Sequence, residues 1–230
     1  KKDNDIKYAE IMKKLAYEQK LFVIVASSDY IYGTNYQFCH GYIGKDLRNS
    51  AVVSGVACDS KGRVYVAIRD IPYPETLSGA ILVFDRDGKF LRSIGEDLFT
   101  TPHLLHITAN DEIYYTDATD HTVRKFSPTG ELLMTLGGYE MEPGERPIDR
   151  FKTTSASGEP FNRPTKVVEH KSGDLFVSDG YGQNRIHRLT SDGEVIVSWG
   201  ETGKGPGQFE LPHGLNVDKN DRVYVLDRPN

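Results

Sequence analysis

Four stretches of the chain repeat one pattern of apolar and polar positions: a short apolar strand, a polar turn, then a strand with alternating apolar residues. They are SGVACDSKGRVYVAIR (54–69), PHLLHITANDEIYYTDA (102–118), PTKVVEHKSGDLFVSDGY (164–181) and PHGLNVDKNDRVYVLDR (212–228). Period-two alternation sends successive side chains to opposite faces of a strand, and the Gly, Asn and Asp residues between the runs suit tight turns. The first three stretches continue into a second hairpin: ILVFDRDGKFLRSIG, VRKFSPTGELLMTLG and IHRLTSDGEVIVSWG. Each of these repeats therefore predicts four antiparallel strands. The fourth repeat reaches only its first two.

The aromatic residues Tyr65, Tyr114, Phe176 and Tyr224 mark the repeats, about 50 to 60 residues apart, and four-stranded units at that period predict a β-propeller. The predicted fold class is all-β: a six-bladed propeller, incomplete at its C-terminus in this chain, with about two further blades expected after Asn230. Residues 54–230 would form three full blades and one partial blade. Residues 21–53 read as lead-in strands, the outer strands of the closing blade. Residues 1–20 read as a short N-terminal helix, because Tyr8, Ile11, Met12, Leu15 and Ala16 fall on one helical face. Two long loops, IPYPETLSG and GYEMEPGERPIDRFKTTSASGEPFN, are equally compatible with function and with tolerated insertion.

Composition narrows the partners. The chain has 230 residues, 38% hydrophobic and 27% charged, with a net charge of −5, and this mild acidity argues against a nucleic-acid partner. No apolar run approaches the roughly 20 residues that span a bilayer, so no membrane partner is expected. The opening KKDNDIKYAEIMKKLAYEQK is too charged for a secretory h-region. Two cysteines, Cys39 and Cys58, make no disulfide framework. The protein is expected to be a monomer.

Candidate chemistry emerges from the repeat register. Eleven positions before each aromatic marker stand Ser54, His103, Thr165 and His213. In a six-bladed ring, two histidines at one repeat position on alternate blades would lie at one height in the central channel. A third would complete a three-histidine site suited to catalytic zinc. Four positions after the markers stand Arg69, Ala118, Gly180 and Arg228, with Tyr181 next along. Strand ends on this side open onto the same channel mouth, so two arginines and a tyrosine would face the histidines. Arginines there suit a carboxylate, and a tyrosine suits proton transfer. The isolated His106, His121, His170 and His187 read instead as packed or hydrogen-bonded residues. Asp117, Asp179 and Asp227 read as turn caps, and DRDG at Asp85 as a hairpin turn rather than a calcium loop. GETGKGPG is not a phosphate loop, since no Gly-Lys-Ser/Thr opens a helix.

These residues also carry a family likeness. The units resemble NHL-repeat propellers and, more closely, the lyase domain of the peptidyl-α-hydroxyglycine α-amidating enzymes and their bacterial relatives. FTTPHLLHI, FNRPTKVVEHKSGDLFVSDGYGQNRIHRL, SWGETGKGPGQFELPHGL and VLDR carry the resemblance. It implies zinc held by His103, His213 and a ligand beyond Asn230. It also implies Arg69, Tyr181 and Arg228 as active-site residues, and calcium held by the backbone carbonyls of Val56 and Leu105 with a side chain beyond Asn230. The implied reaction cleaves the N–C bond of a carbinolamide to a primary amide and glyoxylate, on a small-molecule or peptide substrate with a carboxylate. Gly182 and Tyr224 stand where the animal lyases have cysteines, and Leu104 where glycine is usual. The missing disulfides point to a bacterial-type relative, in the cytoplasm or periplasm. Two other readings stay open: a non-catalytic NHL propeller that binds a protein or ligand, and a metal-dependent propeller hydrolase acting on a lactone or ester.

Overall fold

A computed structural model of the chain describes residues 52–69, 81–95, 98–99, 101–138 and 160–228. The expected helix over 1–20, the lead-in segment up to residue 51, the IPYPETLSG loop and most of the 138–162 loop lie outside the described residues. Those that are described form strands and turns, with no helix.

Strands β1 (Val52–Cys58), β2 (Val64–Arg69), β3 (Ile81–Phe84) and β4 (Phe90–Ile94) make one antiparallel sheet in chain order. The same meander recurs in β5 (Pro102–Ile107), β6 (Ile113–Asp117), β7 (Thr122–Phe126) and β8 (Leu132–Gly137). It recurs again in β9 (Lys166–Glu169), β10 (Leu175–Asp179), β11 (Arg185–Leu189) and β12 (Val195–Trp199). Two short strands, β13 (Glu201–Thr202) and β14 (Gln208–Phe209), then pair in parallel. The hairpin of β15 (Pro212–Val217) and β16 (Val223–Asp227) follows. The turns are self-capped, as at DRDG: Asp85 accepts the N–H groups of Asp87 and Lys89 through Oδ1, and Gly88 supplies the positive φ of 83°.

The alternation of each strand is used on both faces, because each sheet stands between neighbours. Tyr65, Ile81 and Val83 of the first sheet meet Leu105, Ile113, Tyr115 and Phe126 of the second. Tyr114, one position from Tyr115 and so on the other face, joins Val167, Leu175, Val177 and Leu189 of the third. Phe176 and Ile186 then meet Leu215 of the last hairpin. The aromatic marker thus always faces the following sheet. Tyr224, with no described sheet after it, is 53% exposed. The outer strands β8 and β12 are largely uncovered, leaving Leu133, Val195 and Ile196 exposed.

The first strands β1, β5, β9 and β15 are neighbours in that order. Their approach is close: a Cβ at Gly55 would press on the backbone of Leu104 and Leu105 at 3.3–3.4 Å, and one at Gly180 would collide with the carbonyl of Pro212. Aspartates at the ends of the second strands hold the segments that enter the first strands. Asp117 accepts the N–H of Thr101, Asp179 that of Asn162, and Asp227 those of Glu210 and Leu211. Each of these carboxylates satisfies a backbone donor just before an inner strand, which fixes the height at which His103 and His213 enter.

Candidate functional site

The inner strands are not regular where the candidate site lies. Pairing between β5 and β6 jumps from Pro102 to Leu105, and between β15 and β16 from Pro212 to Gly214. A matching shift between Val53 and Gly55 interrupts β1. His103 and His213 therefore each sit in a β-bulge, where an extra residue turns a side chain out of the pleat.

The bulged histidines meet. The rings of His103 and His213 are 4.6 Å apart between centroids, inclined at 70°. Tyr181, in the turn after β10, stands edge-on to both, at 5.2 Å from His103 and 5.6 Å from His213. Its hydroxyl lies 3.0 Å from His103 Nε2 and 3.1 Å from His213 Nε2. His103 Nδ1 is 2.7 Å from the carbonyl oxygen of Thr165. A carbonyl can only accept, so Nδ1 carries the proton and Nε2 presents its lone pair. The Tyr181 hydroxyl accordingly donates to His103 Nε2, leaving its oxygen to accept from His213. Thr165 is itself pinned, since its hydroxyl lies 2.9 Å from the Pro212 carbonyl and 2.8 Å from Ser178 Oγ. His103 is 1% exposed, which makes this orientation rigid.

This donor set suits zinc, because two imidazoles converge through Nε2, His213 doing so once its proton sits on Nδ1, and His103 is oriented by a carbonyl at its other nitrogen. Among the described residues no group of three His, Cys, Asp or Glu side chains forms a complete metal site. The other candidates stand differently. Arg228 follows β16 with an exposed side chain, its backbone N–H donating to the Leu211 carbonyl at 2.9 Å. No described hydrogen bond or ion pair ties its guanidinium to the three rings. Arg69 closes β2 opposite Val52, with its side chain outside the described part. Val56 is exposed and Leu105 is buried. The carbonyl of Leu105 accepts a hydrogen bond from the Lys166 ammonium at 2.5 Å.

Sequence reasoning passed over Arg163. Its guanidinium carbon lies 5.2 Å from the centroid of the Tyr181 ring. It holds a left-handed φ of 70°, and its N–H donates to His121 Nδ1 at 3.0 Å. The Arg-Pro-Thr run before β9 is the only sequence signal for it, and that run reads as an ordinary strand entry. His121, His170 and His187 are hydrogen-bonded residues: His121 to the Arg163 N–H ahead of β9, His170 to Asp221 of the last hairpin, and His187 to Ser198 of its own sheet.

His106 carries a separate consequence. Burial, reinforced by the neighbouring Lys166 charge, lowers its pKa to about 4 from an ordinary 6.5. The folded chain then binds fewer protons than the unfolded chain between these values. Stability is full above pH 6.5 and falls as the pH drops toward 4, by about 3 kcal/mol. Urea unfolding at pH 7 and pH 4.5 should show this loss, and His106→Leu should reduce the difference between the two.

Comparisons with known proteins agree with this architecture. No protein-family model matches the chain. It is 34% identical over 185 residues to human NHL repeat-containing protein 3, covering 76% of this chain and 49% of that protein. It is 34% identical over 205 residues to the peptidylglycine alpha-amidating monooxygenase of Rattus norvegicus, covering 77% of this chain and 20% of that protein. Over 155 residues it is 33% identical to peptidyl-alpha-hydroxyglycine alpha-amidating lyase 1 of Drosophila melanogaster, covering 62% of this chain and 26% of that protein. The chain spans about half the length of NHL repeat-containing protein 3. Among solved structures, virginiamycin B lyase from Staphylococcus aureus superposes with a TM-score of 0.53 at 16% identity, covering 81% of this chain and 51% of that one. A nidogen/laminin complex chain does so at 0.53 and 15%, covering 77% of this chain and 57% of that one. The four-stranded sheets with adjoining first strands are those of a β-propeller. The chain's homologues include NHL repeat-containing protein 3 and the peptidylglycine alpha-amidating monooxygenases.

Proposed function

We propose that this chain carries the site of a zinc-dependent lyase that splits an α-hydroxy amide, such as a peptidyl-α-hydroxyglycine, into an amide and glyoxylate. The observation that carries the reading is the Tyr181 hydroxyl set between His103 Nε2 and His213 Nε2. The similarity to α-amidating lyases over most of the chain supports it. A zinc ion held by the two Nε2 atoms would supply Lewis-acid polarisation of the substrate hydroxyl. Tyr181 relays the proton of that hydroxyl, its phenol oxygen accepting it as the phenol's own proton leaves. The electron pair of the O–H bond becomes the aldehyde C=O of glyoxylate. The C–N bond breaks, and the proton returns from Tyr181 to the departing amide nitrogen. Arg69 and Arg228 hold the substrate carboxylate. Thr165 keeps His103 in the tautomer that frees Nε2.

The test is glyoxylate release from a peptidyl-α-hydroxyglycine by the zinc-loaded full-length protein. Release well above the spontaneous rate is expected, and its loss in His103→Ala together with loss of bound zinc. If the wild-type protein releases glyoxylate no faster than buffer, the lyase reading fails.

A further inference from the structure

Lys166 opens β9 and pairs across to Ser178 in β10. Its side chain crosses to the neighbouring inner strand, where Nζ donates to the Leu105 carbonyl. The cavity beside it is lined by Leu104, Leu215, Tyr224 and Leu226, an apolar surround for an ammonium. Among the described residues no carboxylate pairs with Lys166. The positive charge is therefore met by a backbone carbonyl rather than by an anion, an arrangement that costs desolvation unless the carbonyl dipole is well aimed.

Calcium takes its oxygen ligands at about 2.3–2.6 Å. A calcium ion on the Leu105 carbonyl would share that oxygen with the ammonium and stand within a few ångströms of it. Two cations so placed repel strongly in an apolar surround. The residues present thus do not fit a calcium ion at this carbonyl.

We propose that Lys166 is a built-in cation: its ammonium takes the place on the Leu105 carbonyl that calcium was expected to take, and ties β5 to β9 without a metal. His103 and Thr165 join the same two segments, so the lysine adds a second tie between them beside the histidine's. This inference does not depend on the lyase reading, since it concerns metal content and stability rather than turnover.

The experiment uses full-length, zinc-loaded protein in buffers freed of calcium, with and without added calcium chloride. Wild-type protein is expected to retain substoichiometric calcium and to melt at the same temperature in both buffers. Lys166→Asp removes the ammonium and supplies a carboxylate oxygen. It is expected to bind calcium and to melt several degrees higher when calcium is added, because a ligand that binds only the folded state raises its stability. Lys166→Met keeps the stem without the charge and is expected to melt lower than wild type in both buffers. Stoichiometric calcium in the wild-type protein, or a wild-type melt that rises with calcium, would overturn the proposal whatever the variants do. So would a Lys166→Met protein as stable as the parent.

Discussion

Tyr181→Phe is expected to lower the turnover of an α-hydroxy amide about 100- to 10,000-fold, the range over which a positioned acid–base group acts. The substitution removes one oxygen and keeps the ring. That ring makes the edge-on contacts with His103 and His213 and lies beside Arg163, so the packing of the site survives. What is lost is the hydroxyl that both Nε2 atoms face at 3.0 and 3.1 Å. The loss should appear in kcat with KM little changed, because the substrate is held elsewhere and the phenol acts only on the proton in flight. Zinc content should stay at the parent level, which separates this variant from His103→Ala. A Tyr181→Phe protein within about threefold of the parent in kcat would remove Tyr181 from the proton-transfer role. A variant that loses zinc as well would make the phenol a support for the metal site instead.

Much of this architecture can be read in the chain, and the unread parts share one physical cause. The repeat fixes which residues occupy equivalent places, since period-two strands and Gly- or Asp-bearing turns are local signals. That register is what singles out His103, His213 and Tyr181 in the sequence. The device that brings the two rings together is not local. A bulge is defined by the pairing of one strand against its partner, and neither PHLL nor PHGL announces that Pro102 pairs with Asp117 while Leu105 pairs with Tyr115. The Thr165 carbonyl that orients His103 escapes notice because backbone atoms have no letter in a sequence. Lys166 reads as one more polar residue at a strand start. Only the adjacency of β5 and β9 shows that its ammonium reaches Leu105. Asp117, Asp179 and Asp227 read as turn caps; Asp117 does cap its own turn at Thr119 and Asp120, but all three carboxylates also hold the segment that enters the inner strand, a non-local use that no turn signal shows.

The strongest structural test falls on one of these caps. Asp179→Ala is expected to destabilise the protein by about 3 kcal/mol, because it strips a buried acceptor from several donors at once. Asp179 is fully buried. Its Oδ2 accepts the backbone N–H of Asn162 at 2.6 Å, the Gln183 amide at 3.0 Å and His187 Nε2 at 3.3 Å. Ser198 Oγ holds the other nitrogen of His187 at 2.7 Å, so the ring cannot turn away to find a new acceptor. The Asn162 N–H belongs to the segment entering β9, and Gln183 to the turn that carries Tyr181. Loss of the carboxylate therefore loosens both sides of the site as well as the sheet. Asp179→Asn keeps one carbonyl oxygen for the Asn162 N–H and should cost only about 1 kcal/mol. Urea unfolding should show the midpoint falling in that order, with the slope unchanged if the folded state stays compact. An Asp179→Ala protein within about 0.5 kcal/mol of the parent would mean that these donors find water or new partners. The carboxylate would then not be what sets the height of the inner strands.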